Sequence, residues 1–116
     1  MSTVSQPTDN WVTGSDSCQT TQGTIASGQN LAAHAPLGQV TATGKFVLWD
    51  PDATDGSQVA TRLTPQAIDA SAADRTTQLI KAGTFNPELV AWPDGTTAAQ
   101  KLVAFVGTPI SLQPPV

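Results

Sequence analysis

Thr43-Gly44-Lys45-Phe46-Val47-Leu48-Trp49-Asp50-Pro51 is the stretch that decides the fold class of this 116-residue chain. Four apolar residues, Phe46 to Trp49, stand between two turn-forming pairs, Thr43-Gly44 and Asp50-Pro51. So short an apolar run between turn signals is the pattern of a buried strand. Further along, Val59, Thr61 and Leu63 alternate with Ala60, Arg62 and Thr64, which predicts a half-buried strand. Thr76 to Lys81 is a third candidate, ending at Gly83, and Pro109 to Leu112 reads as a short final strand with its proline at the start.

Two helical stretches interrupt this pattern. Asn86-Pro87-Glu88 supplies a capping residue, a proline suited to the first helical position and an acid near the positive helix end. Pro93 limits that helix to a turn or two through Leu89 and Val90. Thr97 to Val106 is the better helix, with Ala98, Leu102 and Phe105 on one face and Gly107 placed as its C-terminal cap. The expected fold is therefore mainly β with short helices.

Composition agrees. Hydrophobic residues make up 39% of the chain and charged residues 12%, with 9 Gly and 9 Pro, which suits short strands joined by many turns. A chain of this length buries roughly two-thirds of its unfolded surface, enough for one core. The net charge is −4, and the first basic residue is Lys45. Lys45, Arg62, Arg75, Lys81 and Lys101 are too scattered to displace counterions from phosphates, so neither nucleic acid nor anionic membrane is an expected partner. Cys18 has no second cysteine to pair with. No apolar stretch approaches the ~20 residues that span a bilayer, and the basic start of a secretory signal is missing. A soluble protein retained where it is made is expected.

Residues 1 to 30 have a different texture. Eleven of them are Ser or Thr, and large apolar residues are sparse: Val4, Trp11, Val12 and Ile25. Such a segment buries too little to offset its ordering entropy. It reads as a flexible arm over residues 1–15, followed by one compact domain over residues 16–116. Trp11 in this setting is a candidate docking residue, with Val12 and Ile25 beside it in that role. Trp49 and Trp92, each closing an apolar run, read as core anchors, together with Phe46, Phe85 and Phe105.

No catalytic or metal site emerges. Asp50, Asp52 and Asp55 crowd one loop, but the third acid is one place late for an EF-hand and the glutamate further on is missing. A turn rich in Asp, Pro and Gly explains the loop without a metal. His34, the one histidine, has no nearby nucleophile and reads as a turn residue. No cofactor is expected.

Lys45-Phe46-Val47-Leu48-Trp49-Asp50, then Thr54-Asp55-Gly56 and Val59, resembles the matching stretch of lambda-like bacteriophage head decoration proteins. So do Lys81-Ala82-Gly83-Thr84-Phe85, Trp92-Pro93, and Ala104-Phe105-Val106-Gly107-Thr108 before Ile110-Ser111, in the same order, and Pro36-Leu37 falls where that family has Pro-Leu. The resemblance implies a compact β-clip domain that forms a homotrimer. It further implies a virion protein, made in the host bacterial cytoplasm, that binds the major capsid protein on the outer head surface at three-fold and local three-fold sites. There it would stabilise the expanded head against packaged DNA, with an N-terminal arm that orders on the capsid by adding a strand. Residues before Ser15-Asp16 and the tail Gln113-Pro114-Pro115-Val116 depart from that family. Two other classes share the composition: a β-rich carbohydrate-binding or surface-adhesion module using its tryptophans as a platform, and a hydrolase using the Asp50, Asp52 and Asp55 cluster.

Overall fold

A computed structural model describes residues 11–14 and 18–113. Its elements are β1 (Gln19–Ile25), β2 (Gln29–Leu31), β3 (Pro36–Gln39), β4 (Phe46–Leu48), β5 (Ala60–Leu63), β6 (Ile68–Ala70), β7 (Arg75–Phe85), a 3-10 turn (Pro87–Leu89), α1 (Ala98–Val103) and β8 (Ile110–Leu112). The domain is compact and mainly β, as the alternation of short apolar runs and turns predicts.

The eleven-residue β7 organises the rest. Antiparallel β1 follows it from Ile25↔Arg75 to Gln19↔Ala82, and β5 meets it at Leu63↔Ile80. Parallel β8 covers its last three residues, Gly83 to Phe85. The remaining pairings, β1 with β4, β4 with β3 and β3 with β5, close a five-stranded ring, to which β8 is appended. Closure satisfies backbone groups that an open sheet would leave at its edges. A separate small sheet pairs β2 with β6.

Successive residues of a strand point to opposite faces, and Leu79 and Ile80 are both buried. Thus β7 runs between two apolar clusters, where chain length alone leads one to expect a single core. Leu79 packs with Ile25, Leu31, Ala35, Leu37, Phe46, Ile68 and Ala70. Ile80 packs with Trp49, Ala60, Leu63, Phe85, Val90, Phe105 and Ile110.

Three local readings change. In β5 the buried residues are Ala60 and Leu63, while Val59 is exposed. Leu37 pairs with Arg62 but Gly38 with Ala60, so Thr61 is an extra residue, and this β-bulge shifts the alternation. The strand after Thr76 runs past Gly83 to Phe85, because Gly83 adopts a φ of 134° that continues the chain along β8. Helix α1 keeps its expected start, where the Thr97 hydroxyl accepts from the Gln100 N–H and the Gln100 side chain accepts from the Thr97 N–H. It ends early, however. Ala104 is extended and Phe105 takes a left-handed φ of 67°, which turns the Phe105 ring into the second cluster and leaves Leu102 83% exposed.

The stop before Pro93 holds: Asn86 Oδ1 accepts from the Glu88 N–H at 2.9 Å, and one 3-10 turn follows. Strands β1, β2, β3 and β6 lack an apolar run and carry no local signal in the sequence. Gly38 in β3 is obligatory, since a Cβ there would fall 2.5 Å from Ser57 Cα.

Candidate functional site

The acidic loop is occupied with its own backbone. Asp50 Oδ1 accepts from the Asp52 N–H at 3.0 Å, and Asp55 Oδ1 accepts both the Ser57 hydroxyl at 2.6 Å and the Ser57 N–H at 3.0 Å. Those two Ser57 bonds favour the ionised carboxyl and lower the Asp55 pKa. Among the described residues no three His, Cys, Asp or Glu side chains gather closely enough to hold a metal ion.

The aromatic residues face inward. Trp49, Phe46, Phe85 and Phe105 are buried, and Trp92 is half-buried against the second cluster. Trp92 meets Trp49 edge-on at 5.8 Å, donates its indole N–H to the Pro87 carbonyl at 3.0 Å, and has the Lys101 ammonium 5.9 Å from its ring. Rings engaged in this way do not form the open platform on which a sugar stacks.

Of the three expected docking residues, the structure brings two together. Ile25 is fully buried in the first cluster, pinned between Phe46 and Arg75 at the end of β1. Trp11 and Val12 belong to a short extended segment seated on the end of β7, opposite β8. Val12 bridges Phe85 in antiparallel sense. The Trp11 carbonyl accepts from the Asn86 N–H at 2.7 Å, the Thr13 N–H donates to the Thr84 carbonyl at 3.1 Å, and the Thr13 hydroxyl donates to the Gln113 carbonyl at 2.7 Å. The Trp11 ring lies flat on His34, with centroids 3.7 Å apart and planes 5° apart, and against Phe85 at 4.7 Å. The Val12 side chain is 49% exposed. Residues 1–10 and 15 of the expected arm lie outside the described residues, as do residues 16–17 of the expected domain and residues 114–116 of the tail.

Sequence reasoning missed a second surface. Leu102, Val103 and Val106 are exposed at 83%, 63% and 70%, and Leu102 and Val106 line a groove of about 620 Å³ together with Phe105, Ile110 and Leu112. The early end of α1, with Ala104 extended and Phe105 left-handed, buries Phe105 without Leu102, and helical periodicity cannot reveal it.

These features define the class: a small β domain whose distinctive surfaces are a seated strand-like segment and an exposed apolar patch, the kind of surface that contacts other proteins. The comparisons make the class particular. The family model for bacteriophage lambda head decoration protein D matches residues 7–111, and the chain belongs to that family. It is 31% identical over 98 residues to the head decoration protein of Enterobacteria phage P21, an alignment covering 84% of this chain and 81% of that protein. The family is one of structural phage head proteins, which are not enzymes.

Proposed function

We propose that this chain decorates the outside of the filled phage head as a homotrimer. It is assembled in the host bacterial cytoplasm and sits at three-fold and local three-fold positions. There it clamps neighbouring major capsid subunits and stabilises the expanded head against packaged DNA. The observation that carries this reading is the family match, which runs from residue 7 to residue 111 and so takes in the seated segment, the ring and the start of β8. The domain, of the β-clip type, supplies the rigid body over residues 16–116, and the polar residues 1–15 supply the arm that orders on the capsid. A three-fold clamp suits a three-fold site, and three arms on one body raise each other's effective concentration.

Isolated apolar side chains are ordinary on a surface, but three close together, two of them lining an apolar groove, mark a contact. The Leu102, Val103 and Val106 patch is assigned to the neighbouring protomer of the trimer. Of the candidate arm residues, Val12 presents an open side chain to the capsid, whereas Ile25 is committed to the core. Metal, cofactor, nucleic acid and membrane have no part in this reading.

Electron microscopy of expanded, undecorated heads incubated with the protein tests it. Trimeric density at three-fold sites is expected, and its absence at saturating protein overturns the reading. Leu102→Asp with Val106→Asp should give folded monomers by light scattering. Loss of head binding by trimers that persist would move the patch to the capsid interface instead.

A further inference from the structure

No residue of α1 is buried against its own domain. Six residues are too few for a helix to stand in water on propensity alone, and packing on a neighbour normally supplies the difference. The Thr97 capping box starts this helix, yet its two large aliphatic side chains, Leu102 and Val103, both stay exposed. The helix is a ridge left uncovered by the described residues of its own chain.

The ridge separates two unlike flanks. At about 100° per residue, Ala98, Lys101 and Leu102 share one side of α1, while Gln100 and Val103 fall on the other. The first three line the apolar groove together with Val106, and Lys101 gives that flank a positive charge. Gln100 and Val103 line a different hollow, of about 340 Å³, with Trp49, Pro51, Val59 and Ala60. Val59 is 50% exposed there, whereas Trp49 and Ala60 are each 3% exposed. Pro51 also lines the adjoining cleft, whose exposed Asp50, Asp52 and Asp94 make this flank acidic.

We infer that the two flanks of α1 bind each other from chain to chain: Leu102 and Val106 of one protomer enter the hollow of Trp49, Val59 and Val103 on the next. This rests on the homotrimer of the decoration reading, and it names the surface that the exposed patch meets. A contact that closes a three-fold ring is heterologous, so every protomer must carry two different surfaces that fit one another. The flanks meet that requirement in shape and in charge. Protruding aliphatic side chains stand on one and a hollow lies on the other, and the contact brings Lys101, beside Leu102, to the acids beside Pro51. Opposite charges at the edge of an apolar contact fix its direction and oppose the pairing of like flanks. One chain thus supplies both halves of the interface, and α1 is covered on both sides only when the ring is closed. Val103 accordingly faces a different neighbour from Leu102.

Cross-linking of the full-length protein tests the pairing, with the exposed Cys18 first removed as Cys18→Ser. Under oxidation by copper phenanthroline, Val59→Cys with Leu102→Cys in one chain should give a covalent trimer, both in solution and on decorated heads. An equal mixture of the two single variants should stop at covalent dimers, because each chain then carries one thiol, and either single variant alone should stay unlinked. A single variant that links to itself means that like flanks meet, and no covalent trimer in either setting means that something else covers α1. Each of those results overturns the inference. Independently, Lys101→Glu and Asp52→Lys should each raise the protomer concentration at which half the trimers dissociate by about tenfold or more, and the two together should return it to within about threefold of wild type. A double variant no better than the singles overturns the pairing of the flanks. Cross-linked trimers that never bind heads would refute the decoration reading and leave the contact standing, and heads decorated by trimers that do not cross-link would do the reverse.

Discussion

On the Leu79 face of β7 the apolar cluster is enclosed by strands that hydrogen-bond to one another, whereas the Ile80 face is covered by the seated Trp11 segment, the 3-10 turn, α1 and β8. The first cluster is mostly aliphatic with one Phe, and its side chains leave no large apolar residue bare. The second carries Trp49, Phe85 and Phe105, with Trp11 and Trp92 at its rim, and leaves Leu102, Val103 and Val106 in the open. One face therefore makes the fold self-sufficient. The other spends short, irregular elements on placing surfaces, and it is the face on which both the seated Trp11 segment and the apolar patch occur.

Phe85→Ala should have the largest effect, because the ring fills the second cluster, supports Trp11 and lies where β8 and the seated Trp11 segment meet β7. A loss of about 3–5 kcal/mol is expected in denaturant unfolding at fixed protomer concentration. Leu79→Ala should cost a similar or smaller amount, about 2–5 kcal/mol, with a different consequence. Where both variants are still folded, Phe85→Ala should lose head binding and Leu79→Ala should keep it. Equal loss of binding in the two would break the distinction between the faces. Gly83→Ala should be milder, at about 1–3 kcal/mol, since it forces a side chain into a φ of 134° and brings a Cβ to 2.6 Å from Phe85 Cζ. Its damage should appear as faster amide exchange in β8 and the seated Trp11 segment before it appears in β4, and uniform exchange would contradict that.

Parts of both faces are legible in the sequence and parts of both are not, for one physical reason. Phe46 to Trp49 announces itself because strand, flanking turns and burial are all local. Asn86-Pro87 and Thr97 likewise carry their capping chemistry within three residues. The seated Trp11 segment has no such signature: Trp11 sits among Ser and Thr, and the rings that hold it belong to His34 and Phe85, distant in the chain. Polar β1 is likewise a strand because β7 templates it. The apolar patch is hidden because α1 stops at Val103: with Ala104 extended and Phe105 left-handed, Phe105 is buried while Leu102 stays exposed, although helical periodicity puts the two on one face. The lone tryptophan in a polar segment was the one available hint, and it pointed to a contact without saying that the contact is made within the chain.

The smallest expected effect lies at the rim of the first face. Lys45 Nζ lies 2.6 Å from Asp74 Oδ2, and Asp74 Oδ1 accepts from the Ser27 N–H at 2.8 Å, tying the β1–β2 turn to the strand before Trp49. The Lys45 contact first, and the Ser27 bond second, lower the Asp74 pKa below its ordinary value of 3.8. A carboxyl with a lowered folded-state pKa contributes stability that is present above the unfolded value and lost as pH falls through the folded one. Both side chains are about two-fifths exposed, so solvent and salt screen the pair and its contribution is small. Unfolding of the wild type between pH 6 and pH 3 should therefore fall slightly more steeply than that of Asp74→Asn, and added salt should narrow the gap. Head binding should be the same for both proteins at neutral pH, because this pair belongs to the self-sufficient face. A binding defect in Asp74→Asn would mean that the first face also reaches the capsid, and the division drawn from β7 would have to be abandoned.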